Sequence, residues 1–319
     1  MPLLRTLSDG AWHSGERLAA DAGITRAALS KRVHRLLNLG LEIETQPGRG
    51  CRLVQALDLL EPDLIRGHLP AAWQDHLGLQ VLCSTDSTNS RLVEADIAAD
   101  PQALLAEHQT RGRGRQGRAW HSPFGANLYL SLAWTFPQWP PQLTALSLAA
   151  GVVVAEALDA LELPAVHLKW PNDLWHKNAK LGGILIEQRG EAGGACRVVL
   201  GLGLNVSMQA ATDAQISQVW TSLAEAVAGR PPSRNLLAAQ VLGRWCDLLQ
   251  RFSHEGFGPF VAGWRARDLT RNRAVRIEQD ATEIHGIARG VDDDGALLLD
   301  VDGERRRILS GDLRLRLTP

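Results

Sequence analysis

The residues with the clearest chemical potential form one short segment, Gly-Arg-Gly-Arg-Gln-Gly-Arg at residues 112–118. Together with Arg111 it carries four arginines, three glycines and no acidic residue. Glycine lets a backbone approach a ligand closely and adopt positive φ. The arginine guanidinium donates a fork of hydrogen bonds that matches phosphate oxygens. The composition predicts a loop that binds an anion, most often a phosphate, although a merely solvated basic loop would look the same in isolation.

The glycine spacing of this segment also matches the G-x-G-x-x-G fingerprint of dinucleotide-binding folds. That fingerprint requires a helix immediately after the glycines and an acidic residue about 20 positions later. Here residues 120–125 are turn-like, and residues 127–132 have the composition of a strand. Because no helix is predicted to follow the glycines, we reject the dinucleotide-binding interpretation.

Polar residues next to other apolar segments are expected to complete the site. A hydroxyl- and amide-rich turn, residues 84–89, precedes a predicted helix, and more of these residues are present than helix capping needs. Lys169 ends one predicted strand, Lys180 begins another, and Asn205 ends a third. Apolar helices alternate with these strands, which predicts a mixed sheet with a polar cleft at its rim.

Cationic residues outnumber nearby acids in this predicted cleft, which suits a nucleoside triphosphate together with a carboxylate. No Ser or Cys nucleophile has an evident His partner, and no residues have metal-ligand spacing. Such a site acts by positioning and charge stabilisation, as phosphoryl and adenylyl transfer require. We therefore expect Mg²⁺ to arrive with the triphosphate, and we expect no metal site built from protein ligands.

Residues 1–57 form a basic region, with eight lysines and arginines against five acids. A helix starting at residues 14–19, a tight break and a basic helix over residues 26–38 are followed by a predicted hairpin around Pro47-Gly48. This order is typical of a DNA-binding winged helix-turn-helix, whereas a solvated basic surface is the alternative. The candidate DNA contacts are Thr25, Arg26, Ser30, Lys31, His34 and Arg49.

The remaining chain divides into residues 58–265 and residues 266–319. The last unit contains short strands separated by Asp294-Gly295 and Asp302-Gly303, which predicts a small SH3-like β-barrel. The expected fold class is thus α+β: an N-terminal winged helix-turn-helix, a central mixed α/β domain and a C-terminal barrel. A packing role for the barrel and a role near the ligands are both open.

The composition is that of an ordinary globular protein, since 45% of the 319 residues are hydrophobic, 22% are charged and the net charge is −1. The overall charge therefore supports neither a nucleic-acid nor a membrane partner. The four cysteines lack C-x-x-C spacing, which favours a reducing, cytoplasmic location. The sequence has neither an apolar core typical of a signal peptide nor an apolar run of about 18 residues, so it does not predict membrane association.

Several motifs of the chain, taken in order, resemble those of biotin protein ligases. They are Ser87-Thr88-Asn89, the arginine segment with Ala119-Trp120, Ser122-Pro123-x-Gly125-x-Asn127-Leu128-Tyr129, Lys169-Trp170-Pro171-Asn172-Asp173, and Lys180-Leu181-Gly182-Gly183-Ile184-Leu185. With the N-terminal winged helix, the chain is similar to the bifunctional type that is both ligase and repressor of the biotin operon. The resemblance covers nearly the whole chain.

The resemblance implies a two-step reaction with biotin and ATP as substrates. Biotin and ATP would give biotinyl-5′-adenylate and pyrophosphate, and the adenylate would pass biotin to one lysine of a biotin carboxyl carrier protein, typically of acetyl-CoA carboxylase. Operator DNA would be the second partner. We expect the adenylate to promote a homodimer that binds DNA, because one DNA-binding module per chain is small.

The resemblance also implies roles for individual residues. The catalytic residues would be Lys180, Arg115, Arg118 and Asp173. Biotin would be bound by Ser87, Thr88, Asn89, Gln109, Gly112, Arg113, Arg115, Lys180 and Gly183, with the arginine loop closing over it. The nucleotide would be bound by Arg118, Trp120, Lys169, Asn172 and Asn205. Asp173 would lie where the carrier lysine enters.

Two other functions are consistent with the same residues. The protein could be a DNA-binding regulator whose biotin sensor domain is not catalytic, or an enzyme that ligates lipoate. Intact loop arginines and Lys180 argue against the first alternative. The arginine segment and the Lys-Trp-Pro-Asn-Asp motif favour biotin over lipoate.

Overall fold

A computed structural model describes residues 2–95, 101–190, 194–209, 216, 218–279, 282–309 and 312–315 of the chain. The N-terminal part begins with three short helices and a two-stranded antiparallel hairpin. These elements are α1 (Pro2–Leu7), α2 (Gly15–Asp21), α3 (Arg26–Asn38), β1 (Ile43–Gln46) and β2 (Gly50–Leu53). The helix-turn-helix and hairpin therefore occur in the order that the sequence predicts.

Helix α3 is amphipathic and has a defined start. The Thr25 hydroxyl accepts a hydrogen bond from the Ala28 backbone N–H, which caps the helix. Leu29 and Leu36 are buried in a cluster with α1 and β2, at the helical spacing expected for one inner face. The basic residues of α3 consequently face solvent.

The sequence predicts one linking helix over residues 58–77, whereas the structure has two helices there, α4 (Pro62–His68) and α5 (Ala71–Gln74). Pro70 explains the interruption, because a residue that precedes proline is disfavoured in the α conformation. Leu69 accordingly has extended backbone angles.

A seven-stranded sheet forms the centre of the molecule, in the order β3-β4-β5-β9-β8-β7-β6. The β3–β4 pair is parallel and the other neighbouring pairs are antiparallel, so the sheet is mixed, as predicted. Its strands are β3 (Gly78–Leu82), β4 (Gln102–Ala106), β5 (Leu128–Phe136), β6 (His167–Lys169), β7 (Asp173–His176), β8 (Ala179–Gly190) and β9 (Cys196–Leu204). Asp173, the last residue of the Lys-Trp-Pro-Asn-Asp motif, begins β7.

The two faces of this sheet are covered differently. Leu105, Leu132 and Leu200 pack in the large core with α7 (Leu146–Asp159) and α9 (Arg234–Glu255). Their strand neighbours Leu104, Ala133 and Val199 pack instead with α6 (Thr88–Glu94). Because adjacent strand residues point to opposite faces, α6 lies across the sheet from the two long helices. Because α6 is short, it leaves part of this face of the sheet uncovered, where a ligand can bind.

Three helices that the sequence analysis does not predict precede the C-terminal region. Helix α9 has buried apolar residues at helical spacing, and α10 (Val261–Arg267) packs on α7. A short helix, α8 (Leu223–Ala226), lies before them.

The C-terminal part is a five-stranded antiparallel sheet in the order β13-β12-β11-β10-β14. Its strands are β10 (Ala274–Gln279), β11 (Thr282–Val291), β12 (Leu297–Val301), β13 (Glu304–Ile308) and β14 (Asp312–Leu315). As predicted, Asp294-Gly295 separates β11 from β12 and Asp302-Gly303 separates β12 from β13, whereas β14 is not predicted. The turn at Gly295 docks on the central part, where a Cβ on that glycine would lie 2.6 Å from the Cβ of Ala145.

A buried ion pair joins the segment after the N-terminal hairpin to the central sheet. The Arg234 and Glu107 side chains are 2% and 0% exposed, and Arg234 Nη2 lies 2.8 Å from Glu107 Oε2. Arg234 also donates to the Asp58 and Asn127 carbonyl oxygens, and Glu107 Oε1 accepts from the Leu60 backbone N–H. Since both charges are saturated with hydrogen bonds, the pair holds the 58–60 segment firmly against the sheet.

We expect Arg234→Met to lower the free energy of unfolding by about 3–5 kcal/mol, because it leaves the Glu107 carboxylate buried without its counter-charge. Urea unfolding of the purified chain measures this difference. Arg230→Met is the matched control, since Arg230 is exposed, and it should change stability by less than about 0.5 kcal/mol. Equal free energies of unfolding for the two variants would contradict the proposed contribution of the buried ion pair to stability.

Candidate functional site

A cavity of about 670 Å³ opens on the α6 side of the sheet. Every residue that the sequence analysis assigns to catalysis, biotin or the nucleotide lines this cavity, apart from Gly112. The residues brought together are Ser87, Thr88, Asn89, Gln109, Arg113, Arg115, Arg118, Trp120, Lys169, Asn172, Asp173, Lys180, Gly183 and Asn205. They come from separate strands, turns and helix ends, so only the fold places them around one space.

Gly112 does not line the cavity, and its close packing against neighbouring residues explains why it is a glycine. A Cβ there would lie 2.6 Å from the Trp120 carbonyl oxygen and 2.7 Å from Ser122 Oγ. Both distances are shorter than real Cβ contacts, so a side chain at residue 112 would displace its neighbours. Its assignment to direct biotin contact thus receives no support from the lining of the cavity.

A chain of hydrogen bonds lines the end of the cavity next to α6. The Thr88 backbone N–H donates to Gln109 Oε1 at 2.9 Å, and Gln109 Nε2 donates to Ser122 Oγ at 3.1 Å. Ser87 caps α6 through its hydroxyl, which accepts from the Ser90 N–H. This part of the turn therefore combines capping with a row of polar groups at the cavity wall.

Asn89 is fixed on the sheet surface by contacts that the sequence analysis does not foresee. Its Oδ1 accepts from Ser131 Oγ at 2.6 Å, and its Nδ2 donates to the Leu185 carbonyl and to Glu187. A Cβ on Gly201 would overlap its side chain. Ser131 is fully buried in β5, and the single serine within the mostly apolar run Leu-Tyr-Leu-Ser-Leu-Ala was the available signal.

The arginine segment is a small β-hairpin, which we call the arginine hairpin (residues 112–120). Its two sides pair between Arg113 and Ala119, and its tip has positive φ at Gln116 (54°) and Gly117 (71°). Two successive positive φ values are the signature of tight hairpin turns, and glycine accommodates the second without strain. No helix follows within the described residues 118–142, which agrees with rejecting the dinucleotide-binding interpretation.

Trp120 anchors the end of the arginine hairpin against β9. A Cβ on Gly203 would overlap the Trp120 indole, so the ring lies directly on the strand backbone. Lys180 Nζ lies 5.6 Å from the centre of this ring, within cation–π range. The aromatic surface and the lysine therefore lie side by side in the cavity.

Two lysines flank one carboxylate at the floor of the cavity. Asp173 Oδ1 lies 2.8 Å from Lys180 Nζ, and its Oδ2 lies 3.8 Å from Lys169 Nζ. All three side chains are less than a fifth exposed. The cluster carries two positive charges and one negative charge, so it retains an excess of positive charge that suits an anionic ligand.

Asn172 and Asn205 are engaged mainly with the backbone. Asn172 Nδ2 donates to the Ile184 carbonyl at 2.7 Å, and Asn205 Nδ2 donates to the Thr221 carbonyl at 3.0 Å. These bonds hold the β6–β7 turn and the end of β9 at the cavity. Both residues thus shape the wall in addition to lining it.

The cavity includes aromatic and imidazole residues that the sequence analysis missed, among them His121, Trp175 and Trp220. Burial lowers the pKa of His121 below its usual value, so the imidazole is neutral at pH 7. Lys169 Nζ lies 5.1 Å from the Trp175 ring. His121 and Trp175 lie within two residues of recognised motifs, which was the available signal, whereas Trp220 is distant in sequence from all of them.

The candidate DNA contacts form a second, separate surface. Thr25, Arg26, Ser30, Lys31, His34 and Arg49 are all exposed. Arg26 pairs with Glu16 at 3.2 Å, and the Thr25 hydroxyl is used as a helix cap. The Arg49 guanidinium lies 4.5 Å from the Trp12 ring centre, which holds it at the hairpin tip.

Across the described residues, no group of three or more His, Cys, Asp or Glu side chains could hold a metal ion. In the same part of the chain, no helix is long and apolar enough to cross a membrane.

Comparison with known proteins adds family membership to this geometry. Residues 81–205 match the model of the biotin/lipoate A/B protein ligase family, and residues 270–316 match the biotin protein ligase C terminal domain. The bifunctional ligase/repressor BirA of Salmonella typhimurium is 40% identical over 99% of this chain and 97% of its own length. BirA of Escherichia coli is 39% identical over the same shares.

A solved structure agrees with these sequence matches. The biotin protein ligase from Aquifex aeolicus in complex with biotin and ATP has a TM-score of 0.65 and 29% identity, and it aligns to 75% of this chain and 98% of its own. Since the relatives extend over nearly all of the chain, including its N-terminal helices and hairpin, the chain belongs to the bifunctional ligase/repressor family of biotin protein ligases.

Proposed function

We propose that the protein activates biotin with ATP to biotinyl-5′-adenylate and then transfers biotin to one lysine of a biotin carboxyl carrier protein. This carrier is typically that of acetyl-CoA carboxylase. The observation that carries this proposal is the Lys169–Asp173–Lys180 cluster at the floor of the cavity beneath the arginine hairpin. It combines cations for two anionic substrates with one carboxylate for the transfer step.

The polar wall next to α6 is suited to the biotin head. Ser87, Thr88, Asn89 and Gln109 offer hydroxyl and amide groups, which match the neutral ureido group of biotin. Leu185 also lines the cavity, on the same face of β8 as Gly183, and provides an apolar surface that suits the valeryl chain. Gly183 leaves room there, since the atoms nearest to its hypothetical Cβ are those of Lys180 and Asp173.

The activation step requires charge neutralisation more than it requires a nucleophile from the protein. The biotin carboxylate attacks the α-phosphorus, an oxygen–phosphorus bond forms, and pyrophosphate leaves. Both reactants are anionic, so Lys180 between them lowers their repulsion and stabilises the charge that develops. Arg113, Arg115 and Arg118 of the arginine hairpin provide further positive charge above the cavity.

The nucleotide is assigned to the side of the cavity that Trp120 and Lys169 border. The flat indole of Trp120 on Gly203 provides a surface for the adenine ring, while Asn172 and Asn205 hold the wall. The only acid of the floor cluster is already paired with two lysines, so the residues present fit phosphate oxygens better than a metal ion. Mg²⁺ would therefore be held by the triphosphate and water, and it would neutralise the phosphate charge.

The transfer step needs a neutral lysine on the carrier. A lysine side chain has a pKa of about 10.4 in water, so it must lose a proton before its nitrogen attacks the mixed anhydride. Asp173 lies in the cavity within reach of the same lysine nitrogen that would contact the anhydride. We assign it as the group that accepts this proton, after which AMP leaves.

The N-terminal elements support a repressor role on operator DNA. We interpret residues 1–57 as a winged helix-turn-helix domain, residues 58–265 as the catalytic domain and residues 266–319 as an SH3-like domain. The exposed cations of α3 and Arg49 at the hairpin tip provide phosphate contacts. Adenylate binding would favour a homodimer, which doubles the DNA-binding surface.

We expect Lys180→Ala to lower the rate of adenylate formation by about 10²–10³-fold, as does the loss of other groups that stabilise transition-state charge. ATP–pyrophosphate exchange that depends on biotin measures it. Lys177→Ala is the control, because Lys177 is exposed in the turn before β8 and should keep wild-type exchange. If the wild-type protein catalysed ATP–pyrophosphate exchange with lipoate and not with biotin, biotin would not be the substrate.

Asp173→Asn should slow biotin transfer from preformed adenylate to the carrier by about 10²-fold at neutral pH, because general bases contribute at least this much. The remaining rate should increase with pH as the carrier lysine loses its proton to hydroxide. Single-turnover transfer between pH 6 and 9 tests both points. Transfer at the wild-type rate would remove Asp173 from the step.

Biotin with ATP should raise both the dimer fraction and the affinity for biotin-operon control DNA. Linkage requires that dimerisation tighten adenylate binding by the same free energy by which the adenylate tightens dimerisation. Sedimentation and titration with the duplex, at one fixed salt concentration, measure them. An operator affinity that does not change on adding biotin and ATP would exclude adenylate-controlled repression.

A further inference from the structure

Glu187 connects the arginine hairpin to the middle of the central sheet. It lies on β8 opposite Val199 of β9, on the same face as Gly183 and Leu185. Four strand residues separate it from Gly183, or roughly 13 Å at the usual rise per residue. Glu187 does not line the cavity itself. Any effect on a ligand must therefore pass through its neighbours.

One of these neighbours is Arg113 of the arginine hairpin. Arg113 Nη2 donates to Glu187 Oε1 and Oε2, both at 2.9 Å. The two residues are 74 positions apart in sequence, so the ion pair joins the hairpin to a strand distant in the chain. A hydrogen bond between two charged groups is among the stronger kinds.

The other neighbour is Asn89, which lies at the wall assigned to biotin. Asn89 Nδ2 donates to Glu187 Oε2 at 3.1 Å, and Asn89 itself is 4% exposed. Exposed ion pairs are usually weak, in part because two flexible side chains must be ordered. Here a buried amide already orders the carboxylate of Glu187. Less entropy is then lost when Arg113 binds it.

The arginine hairpin is thus held at two points of different character. Trp120 packs on Gly203 at one point, and Arg113 pairs with Glu187 at the other. Backbone hydrogen bonds from Gly114 N to Arg118 O and from Trp120 N to Gly112 O connect the two sides. Displacing the hairpin from β8 would therefore break the Arg113–Glu187 ion pair.

We propose that Glu187 is a positioning residue that latches the arginine hairpin over the biotin end of the cavity and thereby retains biotinyl-adenylate between the two reaction steps. This inference rests on the proposed ligase function. A closed hairpin excludes water from the mixed anhydride and slows its escape. Glu187 acts through Arg113 and Asn89, and it makes no contact with the reacting atoms.

The test is the dissociation rate of preformed biotinyl-adenylate from full-length Glu187→Gln. Glutamine has nearly the same shape and can still accept the Asn89 hydrogen bond, while the ion pair is lost. At low salt we expect dissociation to be about three- to fivefold faster than in the wild type, at the upper end of values for partly exposed pairs. Labelled biotin and ATP load the protein, and excess unlabelled adenylate starts the measurement.

Salt dependence distinguishes a latch from a general structural effect. Wild-type dissociation should accelerate between roughly 0.05 M and 0.5 M NaCl, because the partly exposed pair is screened, whereas Glu187→Gln should respond weakly. Glu283→Gln is the matched control, since Glu283 pairs with Arg276 at 3.2 Å on the C-terminal sheet and should leave the dissociation rate unchanged.

Two outcomes would overturn the inference. One is a wild-type dissociation rate in Glu187→Gln, and the other is an identical salt dependence in the two proteins. Failure of the proposed function is seen separately, because the wild type would then form no adenylate from biotin and ATP. Retention of adenylate by the wild type with rapid, salt-insensitive loss from Glu187→Gln supports the latch.

Discussion

The ligand cavity depends on close approach between side chains and the bare backbone of β9. Asn89 lies against Gly201 and Trp120 lies against Gly203, and any Cβ at either glycine would overlap the facing side chain. One contact sets the wall assigned to biotin, and the other sets the aromatic surface assigned to adenine. Both glycines are adjacent in one face of the same strand, so the distance between the two ligand ends is built into the sheet.

The charged residues of the cavity share their partners. Lys169 and Lys180 share one carboxylate, and the arginine hairpin adds cations from the opposite side. An excess of positive charge in a partly desolvated cavity attracts ATP and the biotin carboxylate and reduces the repulsion between them. The same carboxylate is then available for the transfer step, so one cluster is suited to both halves of the reaction.

The buried Arg234–Glu107 pair connects the central sheet to the segment that follows the N-terminal hairpin. Arg234 reaches the Asp58 carbonyl at the end of the N-terminal part and the Asn127 carbonyl at the start of β5. The Asn127 side chain in turn accepts from the Val206 N–H and donates to Asn205 Oδ1 at the cavity. A continuous series of hydrogen bonds therefore runs from the segment after the hairpin to the end of β9.

The sequence alone determined the helix-turn-helix and hairpin and most strands of the two sheets, and all but one of the residues that it assigns to the site line the cavity, because periodicity and multi-residue motifs record local structure and ligand chemistry. It did not predict α9 or β14, nor the latch between Arg113 and Glu187. Helix α9 does carry apolar residues at helical spacing, so its local signal was overlooked, whereas the Arg113–Glu187 pair joins residues 74 positions apart. Only tertiary structure decides such contacts, since burial and backbone proximity select the partners and local pattern does not encode them.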